Sequence, residues 1–262
     1  MKAKIACIVI YLVILFSLSN FQAIASQLEA RQIITRSFDL YRLAPYETEE
    51  IGVTVVEDNG RTQEKKIVRW LKYSNGGDKL TVKFVEPEID KGLGLLIWHH
   101  HNSDDEQWLK LPSLHKVMRL QFSNQTKFFG GTDFTFEDIS QLAGEKVENF
   151  VYSFIRKDDT GWVIKATPKS PATKTRYDYR MFWVNSNFVI SRIEYYSYGQ
   201  VEKTQRNSEI TIDKNGLWRS NRIEVDNKLL DRKTVMTVVK RDFPTKLSER
   251  IFTTGFLTSE RR

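Results

Sequence analysis

The chain has 262 residues, 40% hydrophobic and 28% charged, with 13 Gly, 6 Pro, one Cys and a formal charge of +7. Disorder is excluded, because 6 Trp, 10 Tyr and 16 Phe supply the apolar surface that offsets chain entropy. Collagen-like and disulfide-scaffold classes fail on the Gly, Pro and Cys counts, and one cysteine permits no intrachain disulfide.

The first predicted element is one to be removed. Lys2 and Lys4 open a positive segment, Ile5 to Leu18 is apolar, and Ala23-Ile24-Ala25 is a small-x-small cleavage pattern. Residues 1–25 read as a cleaved signal peptide and residues 26–262 as a single domain. The apolar run is short for a membrane span of about 20 residues. Cys7 goes with the signal, leaving 237 residues without cysteine. Loss of Lys2 and Lys4 with no acid lowers the formal charge from +7 to +5. The expected location is the periplasm, and thiol chemistry and Cys-ligated metals are excluded from the mature chain.

Gln27 to Arg42 reads as a helix, with Leu28, Ile34, Phe38 and Tyr41 at helical spacing and no breaker before Pro45. From Glu50 the period becomes two. Gly52–Val56 runs into Asp58-Asn59-Gly60, a strong hairpin signal. Strands follow at Lys65–Tyr73, Lys79–Val85, Leu93–His99 and Glu106–Leu111. The second half continues at Val147–Arg156, Trp162–Thr167, Arg176–Val184, Val189–Tyr196, Thr204–Ile212, Trp218–Asp226 and Thr234–Arg241. About eleven strands at hairpin spacing predict an antiparallel meander in one sheet. Short helical pieces fall near Phe136–Ala143 and Leu247–Phe252. So few helices cannot cover both faces, so the sheet is expected to curl around an interior, either a filled core or a cavity.

No catalytic or metal site follows from the motifs. His99-His100-His101 lies beside Asp104, Asp105 and Glu106, but successive strand residues face opposite ways and cannot converge on one ion. The triplet reads as a polar hairpin tip. His115 has no Gly-x-Ser-x-Gly elbow. Asp133, Glu137 and Asp138 read as a helix cap rather than a hydrolytic carboxylate pair, with Asp133 or Thr135 accepting backbone N–H bonds of a helix that starts near Phe134. Gly130-Gly131 lacks the lysine of a phosphate loop. The scattered basic residues read as solvated sheet faces rather than a nucleic-acid surface; a weaker reading is attraction to anionic lipid through Lys110, Lys116, Arg119 and Lys127. No enzyme activity and no cofactor are expected.

One stretch resembles a known family. It runs through Thr81-Val82-Lys83-Phe84-Val85-Glu86-Pro87, Lys91-Gly92-Leu93-Gly94-Leu95-Leu96 and Gln107-Trp108-Leu109-Lys110-Leu111-Pro112. It continues through Lys116-Val117-Met118-Arg119 to Gly131-Thr132-Asp133-Phe134-Thr135-Phe136-Glu137-Asp138, and a tail from Phe243-Pro244 to Phe256-Leu257 fits as well. This order is similar to the LolA-like outer-membrane lipoprotein-sorting family, in its broader branch rather than the classical carrier.

The resemblance implies a mainly β protein with few helices: a curved antiparallel sheet forming a half-open barrel with a helical lid. It implies a carrier that shields acyl chains in an apolar concavity, with a lipid or lipidated protein as partner. An inner-membrane exporter of the resistance–nodulation–division type or an outer-membrane acceptor would be the other partner. A non-enzymatic accessory subunit of such an exporter is the alternative. Strand alternation nominates Leu80, Val82, Phe84, Leu96, Trp98, Trp108, Leu109, Trp162, Ile164 and Trp183 as the lining. A register slip of one residue would invert the face.

Overall fold

The computed structural model describes residues 24–100, 103–114, 116–121, 124, 126–142 and 146–259. The expected signal lies outside these residues except for Ile24 and Ala25, which are helical.

Helix α1 covers residues 24–41 and buries Ala30, Ile33, Ile34, Ser37 and Leu40, the three- and four-residue spacing of one helical face. A single curved, open antiparallel sheet follows. Its first six strands are β1 (Tyr46–Val56), β2 (Thr62–Lys72), β3 (Lys79–Glu86), β4 (Gly94–Trp98), β5 (Glu106–Lys110) and β6 (Val117–Arg119). A crossover carrying α2 (Phe136–Leu142) leads to β7 (Phe150–Asp158), β8 (Gly161–Pro168), β9 (Tyr179–Asn185) and β10 (Ile190–Ser197). Then come β11 (Gln200–Ile212), β12 (Trp218–Asn227), β13 (Arg232–Asp242) and the C-terminal helix α3 (Thr254–Thr258).

The strand order is β6-β5-β4-β3-β2-β1-β13-β12-β11-β10-β9-β8-β7. The chain therefore enters at the middle, meanders to one edge, crosses to the other edge and meanders back until β13 closes on β1.

Burial alternates strictly along β1, where Glu47, Glu49, Ile51, Val53 and Val55 all face inward. The inner face carries two apolar clusters. Ile51, Leu71, Leu80, Val82, Phe84, Leu95 and Ile97 pack with Phe129, Phe134, Phe136 and Ile139 of the crossover. Ala30, Ile33, Ile34 and Leu40 of α1 pack with Tyr152, Ile164, Phe182, Val184 and Trp218. Thus α1 covers the β7–β10 half and the crossover covers the β1–β5 half.

The outer face is not bare, contrary to the expectation from helix count. A 3-10 turn at Glu249–Phe252 and α3 lie over β2–β5, burying Phe252, Phe256 and Leu257 against Val68, Trp70 and Leu96. Outward polar groups fasten this segment. Thr81 Oγ1 donates to the Ile251 carbonyl at 2.9 Å, Trp98 Nε1 to that of Phe252 at 3.0 Å, and Lys83 Nζ to that of Ser259 at 2.5 Å. Side chains of the sheet thus satisfy carbonyls of the 3-10 turn and of the residue that ends α3, groups that short helices leave open.

Several strand boundaries differ from the sequence reading: β1 begins at Tyr46 rather than Gly52, β2 at Thr62 rather than Lys65, and β11 at Gln200 rather than Thr204. Val147–Asn149 is a 3-10 turn rather than the start of β7, and β9 begins at Tyr179 rather than Arg176. Residues 175–177 are drawn out of the ladder by α2: Thr175 Oγ1 donates to Glu137 at 2.5 Å, and Tyr177 Oη to Asp138 at 2.8 Å.

Candidate functional site

The ten nominated lining residues fall on both faces of the sheet. Leu80, Val82, Phe84 and Leu109 lie in the inner cluster under the crossover, and Ile164 and Trp162 in the one under α1. Leu96, Trp98 and Trp108 correct the assignment: they sit on the outer face with the C-terminal segment, the two tryptophans edge to face at 4.8 Å. The cause is register, since Leu95 and Ile97 point inward and their neighbours must point out. Trp183 likewise lies outside both inner clusters, with the Arg192 guanidinium 4.4 Å over its ring. An unbroken apolar run such as Leu93–Trp98 carries no alternation, which is why sequence could not choose its face.

Polar bonds hold α1 over the interior. Trp218 Nε1 donates to the Ser37 carbonyl at 3.0 Å, and Arg219 Nη1 to that of Tyr41 at 2.5 Å. Between the end of α1 and β1, β10, β12 and β13 remains an apolar pocket of about 60 Å³, lined by Phe38, Tyr41, Ile51, Ile193, Met236 and Val238. That is well below the few hundred cubic ångströms of a typical ligand pocket. Around this gap the described apolar residues of the inner face pack against one another.

Under the pocket lies a buried charge network. Glu47 accepts from Arg219 and from Arg241 Nε at 3.0 Å, and Glu49 accepts from Arg69 Nε at 2.6 Å and Arg241 Nε at 2.7 Å. Burial opposes charge on both acids. At Glu47 the arginines outweigh it and lower the pKa, whereas at Glu49 burial prevails and raises it.

The crossover is fixed by a second network. Gly130 and Gly131 adopt φ of 61° and 72°, and a Cβ on Gly130 would stand 2.4 Å from the tip of the Phe84 ring. Asp133 does not cap α2. Its carboxylate accepts from Thr234 Oγ1 at 2.6 Å, Asn227 Nδ2 at 2.9 Å and Arg232 Nε at 3.0 Å, pinning the crossover to β12 and β13. Thr135 and Asp138 form the cap instead, each side chain taking the other's backbone N–H at 3.1 and 2.6 Å. Asp138 also pairs with Lys203 of β11, and both side chains are buried. Glu137 accepts from Thr175 and the Arg176 N–H, and burial raises its pKa despite Arg180. Asp133 and Glu137 thus anchor the crossover, and of the two residues the sequence offers as the cap it is Thr135, not Asp133, that serves.

A polar cleft of about 750 Å³ opens beside this crossover, with His99, Asp105, Gln107, Ser140, Lys146 and Lys174 in its walls. His99 and His100 diverge as strand geometry requires: His99 Nδ1 meets Asp105 at 2.9 Å, and His100 Nε2 meets Glu106 at 3.2 Å. His101 and His115 lie outside the described residues. Among the described residues no three His, Cys, Asp or Glu side chains are grouped to hold a metal ion, and no helix is long and apolar enough to cross a membrane.

Residues 76–259 match the model of a protein family described as uncharacterized protein-like. No curated protein matches the sequence. Solved structures share the fold. A domain designated outer membrane lipoprotein-sorting, from Vibrio parahaemolyticus, aligns at TM-score 0.80 and 19% identity over 89% of this chain and 100% of its own. A DUF1329 family protein from Desulfovibrio piger aligns at TM-score 0.80 and 20% identity over 88% of this chain and 99% of its own. A LolA superfamily protein from Nitrosomonas europaea aligns at TM-score 0.68 and 18% identity over 87% and 98%.

Proposed function

The chain is LolA-like in fold and belongs to the uncharacterized protein-like family matched over residues 76–259; from that premise we propose that it is a periplasmic carrier of a lipid or lipidated protein. One observation carries the reading: a single helix, α1, screens one of the two apolar clusters of the inner face and is tied down at its C-terminal end by two side chains of β12. In the closed arrangement the apolar pocket of about 60 Å³ is too small for an acyl chain. Uptake therefore requires α1 to move off Ile164, Phe182, Val184 and Trp218 so that the chain takes its place.

The energetics favour such an exchange. Burying an acyl chain gains about 0.8 kcal/mol per CH₂, so one long chain compensates for the contacts that α1 gives up. The closed form keeps the inner face dry until cargo arrives, which limits exposure of an aggregating surface. No bond need be made or broken for transfer.

Native mass spectrometry of protein recovered from the cell envelope tests the reading, together with uptake of a fluorescent fatty acid by stripped protein. The expected result is a bound acyl lipid and saturable uptake, on a chain whose N-terminus is Ser26. Absence of both bound lipid and uptake would overturn it. Trp218 reports the motion, since its indole leaves Ser37 when α1 lifts. The emission change on uptake should disappear in Trp218→Phe.

A further inference from the structure

We propose that Ser140, His99 and Asp105 form a catalytic triad that hydrolyses a carboxylic ester of an acyl chain seated in the interior. The three residues come from different elements. Ser140 is on α2, His99 follows β4, and Asp105 precedes β5. The β4–β5 register pairs Trp98 with Glu106, which sets His99 and Asp105 as the next facing pair, on the inward side shared by Ile97 and Gln107. The crossover then lays α2 across that side.

The connectivity is that of an activated nucleophile. Ser140 Oγ lies 3.3 Å from His99 Nε2, and His99 Nδ1 lies 2.9 Å from Asp105 Oδ2. Asp105 Oδ1 takes the His100 backbone N–H at 3.1 Å and Lys146 Nζ at 2.8 Å. These two donors fix the carboxylate, which in turn selects the His99 tautomer that carries a proton on Nδ1 and presents a basic Nε2 to Ser140. Burial pushes the Asp105 carboxyl upward, but His99, Lys146 and the His100 N–H outweigh it and hold it at about 2, so it stays ionised throughout the range in which imidazole acts as a base.

All three residues line the cleft of about 750 Å³, so the triad faces open space rather than a sealed core. A further group points to a ligand there. Gln107 is only 2% exposed and lines the same cleft, yet its Oε1 has no hydrogen-bond partner. A buried carboxamide left unpaired costs free energy that a bound polar group would recover. It stands two residues from Asp105 on one face of β5, where its carbonyl oxygen can accept a hydrogen bond from a hydroxyl or N–H on the alcohol part of an ester brought to Ser140.

The reaction balances within the site. Ser140 Oγ attacks the ester carbonyl carbon while its proton passes to His99 Nε2. The carbonyl re-forms as the alcohol leaves with that proton, giving an acyl-serine. Water then attacks the acyl carbon, its proton goes to His99 and on to Ser140 Oγ, and the carboxylic acid departs. One ester and one water give one acid and one alcohol, with no co-reactant.

The preference for an acyl ester rests on the carrier reading; the triad geometry does not. Full-length mature protein is treated with a fluorophosphonate, and the labelled peptide is located by mass spectrometry. Hydrolysis of 4-nitrophenyl acetate and octanoate is followed in parallel. The expected result is one label per chain on Ser140 and turnover favouring octanoate. Turnover should fall at least about 100-fold in Ser140→Ala and in His99→Gln. No label on the wild-type protein, a label elsewhere, or equal turnover in Ser140→Ala overturns the proposal, and the first two need no variant to fold. Fatty-acid uptake and esterolysis measured side by side on the wild-type protein separate the two readings. Uptake without esterolysis ends the triad and keeps the carrier, whereas Ser140-dependent esterolysis without uptake does the reverse.

Discussion

Arg219 meets Glu47 with two nitrogens, Nε at 3.0 Å from both carboxylate oxygens and Nη2 at 2.7 Å from Oε2, while its remaining Nη1 holds the Tyr41 carbonyl. One guanidinium therefore joins the buried acid of the sheet to the last turn of α1. Its plane also lies 3.8 Å from the Tyr41 ring centroid.

Lysine cannot reproduce that three-way contact, because its ammonium is a single point rather than a planar fork. Arg219→Lys should lower unfolding free energy by about 3 kcal/mol, the scale of breaking a buried pair. Urea unfolding measures it. The same variant should take up fatty acid faster than wild type in a stopped-flow trace, since α1 loses one of its two polar ties.

The Lys203–Asp138 pair should respond asymmetrically. Without Lys203, Asp138 keeps the Tyr177 hydroxyl and the Thr135 N–H. Without Asp138, the buried ammonium loses its paired carboxylate and keeps the Asp133 carbonyl at 3.0 Å and the Tyr195 ring at 4.9 Å. Asp138→Ala is therefore expected to destabilise more than Lys203→Met, by about 2 kcal/mol between them, on the cost of an unpaired buried charge. Equal melting temperatures for the two would contradict this account.

Acid stability carries a signature of Asp105. Its folded pKa of about 2 lies below the ordinary 3.8, so the folded state prefers the carboxylate. That stabilisation is fully present above the ordinary value and is lost as pH falls from about 4 to 2; the full shift amounts to roughly 2 kcal/mol. Glu137 runs the other way, because burial raises its pKa and it costs stability as pH rises past 4.5. Unfolding free energy measured from pH 2 to 5 should fall less steeply in Asp105→Asn, by roughly 2 kcal/mol over that range.

The two faces of the sheet should separate by function. Phe84→Ala on the inner face and Trp98→Ala on the outer one each remove a large packed side chain, at about 3–5 kcal/mol where burial is complete. Only Phe84→Ala should alter fatty-acid affinity. Trp98→Ala should leave it within about twofold, since Trp98 donates to Phe252 beneath the C-terminal segment.

Where the sequence alternates, as in Leu80, Val82 and Phe84 against Thr81 and Lys83, it specified both the strand and its inward side. The hairpins at Asn59-Gly60 and Asn215-Gly216 were equally readable from their turn residues. Leu95, Leu96 and Ile97 were not, because apolar residues on both sides of a strand announce burial without saying beneath what. The outer cover depends on Phe252, Phe256 and Leu257, more than 150 residues away in sequence, and no local pattern encodes that distance. Ser140 was invisible for a similar reason: it acquires His99 only when the crossover folds across β4 and β5. The mark that could have raised it is the pair His99 and Asp105 bracketing a hairpin tip, six positions apart and on one face.

The strand order has a consequence for how such a chain can be assembled. β1 waits at the centre of the sheet for β13, the last strand made, so the two halves meet only after nearly the whole polypeptide is present. Until then each half offers an unpaired inner border, β1 on one and β12 on the other, in addition to its outer edge. A growing chain of this topology is thus open along its midline and joins there last, a long-range closure that favours slow folding. Any factor that keeps an incomplete chain from pairing with a neighbour would act at that midline first.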